Sequence, residues 1–131
     1  MRNAIGGLFA GVVLMAAIVG SDAQAAEDPA FASFAQQQAS MASGQASAES
    51  LTRAYLARIE ALDRQGPRLN SVIALNPHAL ADARARDAER KAGHVRGPLH
   101  GVVILLKDNI ESADDTATTA GSLALKDNVT N

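Results

Sequence analysis

The amino-acid sequence predicts an α/β fold that opens with helices. Apolar residues recur at helical spacing in the first half of the chain. The run Val102–Leu106 consists of five apolar residues between a glycine and a lysine, which is typical of a strand buried on both faces. A strand–helix–strand order between residues 69 and 106 adds the pattern of a parallel strand pair.

Composition and charge narrow the possible function classes. The chain has 131 residues, 47% hydrophobic and 20% charged, which suits one globular domain. With 12 Lys+Arg against 14 Asp+Glu there is no basic excess, so nucleic-acid binding is disfavoured. The absence of cysteine excludes disulfides, thiol catalysis and thiolate metal sites.

Residues 1–25 predict a signal peptide. Arg2 provides a positive start, the stretch from Ala4 to Val19 is apolar, and Ala23-Gln24-Ala25 fits the small-x-small cleavage pattern. The 16 apolar residues reach about 24 Å as a helix, less than the ~30 Å core of a membrane, although an uncleaved anchor is the alternative. We therefore expect residues 26–131 to be periplasmic or secreted, and not in the membrane after cleavage.

The first two predicted helices form an antiparallel hairpin. Asp28-Pro29 predicts the start of the first helix and Gly44 its end. The second begins near Ser47 and ends at Gln65-Gly66-Pro67. The residues at helical spacing on the first helix are Phe31, Phe34, Ala35, Gln38 and Met41, and those on one face of the second are Leu51, Tyr55, Ile59 and Leu62.

A strand and a third helix follow. Leu69–Leu75 predicts a short strand, and Asn76-Pro77 predicts the start of a helix that ends at Gly93. The mixed charges of this helix are typical of a solvated face. Its alanine stripe predicts close packing against a sheet or another helix, and consists of Ala81, Ala85, Ala88 and Ala92.

Lys107 is the first candidate for chemistry. In open α/β sheets, sites lie beyond the carboxyl ends of strands, and Lys107 directly follows Val102–Leu106. Partial desolvation would favour a neutral lysine that can act as a base, although most lysines at strand ends are surface residues.

The other polar candidates have simpler interpretations. His100 could be a base or a ligand, but a lone histidine in a Gly-Pro loop is more often a turn residue. Thr118, Thr119 and Ser122 flank Gly121, and this pattern predicts a turn with bonds from side chain to backbone.

The segment Gly97–Ile110 closely resembles part of the amidase signature family, and Thr118–Ser122 is similar to that family's next motif. Leu51–Ile59 and Leu69–Val72 are similar to its usual opening. The resemblance covers about residues 30–131 in the right order. It implies a large α/β/α fold around a mixed sheet, of which residues 26–131 form an incomplete N-terminal portion.

The resemblance also implies a chemistry. Family members hydrolyse a carboxamide C–N bond with a serine nucleophile, a second serine bound through a cis peptide and a lysine base. Lys107 stands where the family has that lysine. The implied substrate is a small-molecule amide, and neither metal nor organic cofactor is required. The residues that support the matching motifs are Asp108, Asn109, Thr119, Gly121 and Ser122.

Two departures from the family pattern matter. Val103 stands where the family commonly has proline. The Gly/Ser-rich segment with both catalytic serines belongs downstream of Asn131, so Ser122 is not the nucleophile. We therefore expect the chain to need the missing C-terminal remainder of the enzyme and to be inactive alone.

A second hypothesis, from another class, is a small exported helical module or inactive remnant. It would bind a partner through Phe31, Phe34 and Met41. The run Val102–Leu106 argues against it, because a lone module would leave this apolar strand without neighbours, and exposed strand edges invite aggregation.

Overall fold

The computed structural model describes residues 31–130, whose regular structure is helical. It contains α1 (Phe34–Ser43), α2 (Ala48–Arg58) and α3 (Ala79–Lys91). A π-helix, Ile59–Arg64, continues α2, and a short 3₁₀ helix spans Leu123–Leu125. None of the helices in residues 31–130 is long and apolar enough to cross a membrane. The predicted signal peptide, residues 1–25, lies outside the described residues.

Serine side chains fix the starts of α1 and α2. Ser33 and Ser47 each accept a hydrogen bond from the backbone N–H three residues later, and the side chains of Gln36 and Ser50 complete two capping boxes. Gly44, with φ of 77°, ends α1 as predicted. The predicted helix from Pro29 is wrong in its start, because Ser33 has an extended backbone and α1 begins only after it.

α2 packs mainly against α3. α1 also contacts α2, as the predicted hairpin requires, because Gln37 Nε2 donates to the Tyr55 hydroxyl at 3.0 Å and Met41 shares the core with Ala48 and Leu51. The small core consists of Met41, Ala48, Leu51 and Ala83. Phe31 and Phe34 are exposed, so only Met41 of the predicted docking face is buried. On α3, Ala83 is buried, whereas the predicted stripe is not, namely Ala81, Ala85, Ala88 and Ala92.

α3 buries Ala83 instead of the predicted alanine stripe because Asp87, one of its charged residues, faces α2. The carboxylate of Asp87 accepts hydrogen bonds from the backbone N–H groups of Ala48 at 2.7 Å and Glu49 at 3.0 Å. These N–H groups have no partner within α2, and negative charge is favourable at a helix N-terminus. The predicted solvated face of α3 therefore also caps its neighbour.

The buried imidazole of His100 joins α3 to the loop before residue 102. Its Nε2 lies 2.8 Å from the carbonyl oxygen of Arg86, and its Nδ1 lies 3.3 Å from the backbone nitrogen of Arg96. Because a carbonyl oxygen only accepts, Nε2 donates the bond to Arg86, while the Arg96 N–H donates to Nδ1. The carbonyl of His100 accepts bonds at 2.9 Å from Gln38 and from Arg90. His100 is thus an anchor between segments, beyond the predicted turn role.

Gly101 allows this loop to approach the helices closely. Its φ is 79°, and a Cβ atom there would lie 3.0 Å from Ala48 Cβ and 3.2 Å from Met41 Sδ. A side chain at this position would be both strained and crowded.

The two predicted strands, Leu69–Leu75 and Val102–Leu106, form no regular secondary structure among the described residues, and Asn70 in the first has a left-handed φ of 49°. No sheet forms among residues 31–130, so the predicted mixed sheet is absent from this part of the chain. A strand needs a neighbour that takes its backbone hydrogen bonds, and residues 71–75 and 102–106 do not pair with each other. Several of their apolar side chains are exposed, including Ile73, Leu75, Ile104, Leu105 and Leu106.

Replacement of Asp87 by alanine should destabilise the helical unit. Loss of a side-chain cap costs about 1 kcal/mol, because the N–H groups of Ala48 and Glu49 lose their acceptor. Urea unfolding followed by helical circular dichroism measures this. Asp127→Ala, at an exposed carboxylate, is the control, and equal midpoints for the two variants would refute the capping role.

Candidate functional site

Residues 71–75 and 103–106, from the two predicted strands, flank a groove that contains Lys107. This cavity, of about 580 Å³, is lined by residues 71–76, by residues 103–108 and by α2 residues that include Thr52 and Tyr55. The Lys107 side chain is exposed, so the partial desolvation expected from the sequence is not found among residues 31–130. It makes no hydrogen bond or ion pair with any of these residues.

Asp63 fixes the start of the first segment. Its buried carboxylate accepts hydrogen bonds from the Ser71 backbone N–H at 2.6 Å and the Ser71 hydroxyl at 2.7 Å. The Val72 nitrogen lies 3.4 Å from both carboxylate oxygens. The Ser71 hydroxyl is the main cause that holds the pKa of Asp63 below its ordinary value. A carboxylate in the π-helix therefore sets the path of the segment along the groove.

Asp108 ties the end of the second segment to residues 119–122. Its carboxylate accepts hydrogen bonds from the Thr119 hydroxyl and, at 3.2 Å, from the Thr119 backbone N–H. Its carbonyl accepts a bond from the Ala120 N–H at 3.1 Å. The Thr119 hydroxyl, followed by backbone N–H groups, holds the pKa of Asp108 below its ordinary value. These bonds bring two sequence motifs together.

Residues 119–122 form a tight turn with two left-handed residues. Ala120 and Gly121 have φ of 49° and 77°, and Ser122 donates to the carbonyl of Thr119 at 2.8 Å. The Thr119 hydroxyl also accepts from the Gly121 N–H at 3.1 Å, which confirms the predicted bond from side chain to backbone. A left-handed alanine costs roughly 1–2 kcal/mol, so the surrounding hydrogen bonds must offset that strain.

A second carboxylate, Asp114, lines the same groove. It accepts hydrogen bonds from the hydroxyls of Ser112 and Thr116, each at 2.6 Å. The Ser112 hydroxyl is the main cause that keeps the pKa of Asp114 below its ordinary value, followed by Thr116. Both carboxylates that line the groove, Asp108 and Asp114, thus accept hydrogen bonds from hydroxyl groups.

The predicted site residues are only partly brought together. Asp108, Thr119, Gly121 and Ser122 share one hydrogen-bond network, and Lys107 precedes it directly. Asn109 is exposed and its side chain makes no hydrogen bond to the described residues. Between residues 31 and 130, no cluster of three or more His, Asp or Glu side chains could hold a metal ion.

The groove is also organised by residues that the sequence patterns did not reveal. Asp63 binds the Ser71 N–H. Asp114 accepts hydrogen bonds from the Ser112 hydroxyl and the Thr116 N–H. His100 lies outside this groove and lines a second cavity with Arg86 and Arg96.

Comparison with known proteins gives a consistent result. Residues 50–131 match the family model described as Amidase. The chain is 41% identical over 75 residues to a putative amidase of Arthroderma benhamiae, covering 57% of this chain and 12% of that protein. It is 45% identical over 89 residues to one of the subunits of the glutamyl-tRNA(Gln) amidotransferase of Chloroflexus aurantiacus, covering 67% of this chain and 18% of that protein.

A solved amidase structure is also similar to this chain. The native peptide amidase from Stenotrophomonas maltophilia superposes with a TM-score of 0.73 at 55% identity, covering 76% of this chain and 20% of that chain. The chain therefore spans about a fifth or less of the length of these proteins.

Acidification should loosen the turn at residues 119–122. Because the pKa of Asp108 is lowered in the folded chain, its bonds add stability above the unfolded pKa of about 3.9, and this stability is lost as pH falls through the folded pKa. The amide resonance of Gly121 should therefore shift in NMR spectra recorded below about pH 4. Asp108→Asn should remove the titration and Asp127→Asn should keep it. A Gly121 titration that survives in Asp108→Asn would show that another group is responsible.

Proposed function

Since the chain belongs to the amidase signature family, we propose that it supplies the lysine base, Lys107, of an enzyme that hydrolyses carboxamide C–N bonds. Family membership supports a hydrolase acting on C–N bonds. The observation that carries the assignment is the Lys107 side chain, which pairs with no residue between 31 and 130 and lies in the groove directly before the carboxylate that organises the Thr119 turn.

The proposed chemistry uses Lys107 as a neutral amine. It takes a proton from a bridging serine hydroxyl, which in turn takes the proton of the attacking serine, because serine is a poor nucleophile without a base. Attack on the amide carbon gives a tetrahedral intermediate, which collapses to an acyl-enzyme while Lys107 returns the proton to the departing ammonia. Water then releases the carboxylic acid. Both serines belong to the remainder of the enzyme.

The surroundings of Lys107 suit this role. A carboxylate bonded to the amine would favour its charged form, in which it cannot accept a proton. Asp108 and Asp114 line the groove, but hydroxyl groups bind both. The substrate class that we propose is a small carboxamide, and a peptide amide is the first to test because the solved relative is described as a peptide amidase.

The non-enzymatic module remains the second candidate, since Phe31 and Phe34 are 78% and 58% exposed. Met41 cannot belong to such a docking face because it lies in the core. An active enzyme that depends on Lys107 would decide against this alternative.

A chimeric enzyme tests the assignment of Lys107. Residues 31–130 replace the matching fifth of the Stenotrophomonas maltophilia peptide amidase, and release of ammonia from a peptide amide is measured. Lys107→Ala should lower kcat at least about a hundredfold, because a general base is lost. Lys126→Ala, at another exposed lysine, should retain activity.

Two outcomes would contradict the proposal. One is a Lys107→Ala chimera as active as the Lys126→Ala control. The other is ammonia release by the isolated 131-residue chain, which should be inactive because it lacks the nucleophile.

We also propose that the protein is exported and cleaved after Ala25, on the basis of the apolar stretch and the small residues before Ala26. Expression in a bacterium, fractionation and N-terminal sequencing measure this. We expect periplasmic or secreted material that begins at Ala26. Ala23→Leu should block cleavage, whereas Gln24→Leu should not. Uncleaved protein confined to the cytoplasm would contradict export.

A further inference from the structure

The sequence contains the tripeptide Lys-Asp-Asn twice, and the two copies behave differently. Lys126 and Asp127 form an ion pair between adjacent side chains. Lys107 and Asp108 have the same sequence relationship but form no ion pair. The first pair shows that a carboxylate can reach the amine of the preceding lysine. Something in the second copy must therefore hold the Asp108 carboxylate away from Lys107.

Thr119 is the residue that holds Asp108. Its hydroxyl binds Oδ2 of Asp108, and its backbone N–H binds Oδ1 at 3.2 Å. The left-handed Ala120 and Gly121 turn the chain directly after Thr119, and the Ala120 N–H also binds the Asp108 carbonyl at 3.1 Å. The Asp127 carboxylate is not bound by a threonine among the described residues and binds Lys126 instead.

The remaining titratable groups of the groove do not replace Asp108 as a partner of Lys107. The titratable residues that line the groove are Lys107 itself, Tyr55, Asp108 and Asp114. Asp114 is bound by the hydroxyls of Ser112 and Thr116. The hydroxyl of Tyr55 accepts a hydrogen bond from Gln37 at 3.0 Å.

We propose that Thr119 is a positioning residue for Lys107: by binding the Asp108 carboxylate, it prevents an ion pair and leaves the Lys107 amine able to lose its proton. The link to catalysis rests on the proposed function, but the effect on Lys107 does not. A released Asp108 would pair with Lys107 and favour the protonated amine, as an opposite charge does.

Residue-specific labelling of the full 131-residue chain tests the effect directly. Trace acetic anhydride acetylates only neutral amines, so mass spectrometry over a pH series gives a labelling midpoint for each lysine. Thr119→Val should raise the midpoint of Lys107 by roughly half a pH unit, the effect of one exposed ion pair. Thr119→Ser keeps the hydroxyl and should retain the original midpoint. Thr118→Val is the matched control, because Thr118 binds no carboxylate of the described residues with its hydroxyl.

A double variant separates the ion pair from local unfolding. Thr119→Val combined with Asp108→Asn has no carboxylate to release, so the midpoint of Lys107 should return toward its original value. Asp127→Asn should lower the midpoint of Lys126, which verifies that the method detects a pair between neighbours. The proposal is overturned if Thr119→Val leaves the midpoint of Lys107 unchanged, or if the shift persists in the double variant.

Kinetics of the chimeric enzyme then connect the effect to catalysis. In Thr119→Val, the rising limb of the pH profile of kcat/KM should move to higher pH by the same amount, and in Thr118→Val it should not move. A labelling shift in an inactive chimera would reject the proposed function and leave the positioning role intact. An active, Lys107-dependent chimera without a labelling shift would reject the positioning role alone.

Discussion

The hydrogen bonds of the buried His100 are the interaction on which the placement of the groove depends. The imidazole lies between the carbonyl of Arg86 on α3 and the N–H of Arg96 in the loop, while the carbonyl of His100 receives bonds from Gln38 and Arg90. α1, α3 and the loop therefore meet at one residue. The segment that carries Lys107 leaves the helical unit directly after it, so its path begins from a fixed point.

Hydrogen bonds to carboxylates, more than apolar packing, hold the other segments of the chain in position. The core consists of Met41, Ala48, Leu51 and Ala83, and alanine buries little area. Asp87, Asp63 and Asp108 each bind backbone N–H groups of a different segment, and each such charge-assisted bond is stronger than a neutral one. The segments beside the groove are held in position by these directional bonds, while their apolar side chains remain exposed.

Helix ends could be predicted from the sequence better than helix faces. Ser47 and Gly44 act through local bonds, so their residue types reveal a start and a stop. The face of α3 could not be predicted, because Asp87 points inward to a helix 38 and 39 residues away, and pattern analysis assigns a charge to solvent. The predicted strands failed for a related reason: an apolar run favours a strand, but only a partner strand creates one.

In the candidate site too, local bonds could be predicted from the sequence, whereas bonds between distant residues could not. The turn near Gly121 could be predicted because Thr119 binds a backbone N–H two residues away. The bond from Thr119 to Asp108 crosses 11 residues and leaves no periodicity, and the role of Lys107 came from family resemblance. Residue types alone do not reveal which hydroxyl group binds which carboxylate, because that pairing forms only in the folded chain.

Gly101 has an evolutionary consequence. Its left-handed backbone would strain a side chain, and a Cβ atom there would crowd Ala48 and Met41. Substitutions there should be purged by selection even in descendants that have lost catalysis but still fold, whereas Lys107 should be retained only while the chemistry is. In an alignment of relatives, independent loss at these two positions would therefore distinguish decay of activity from decay of structure.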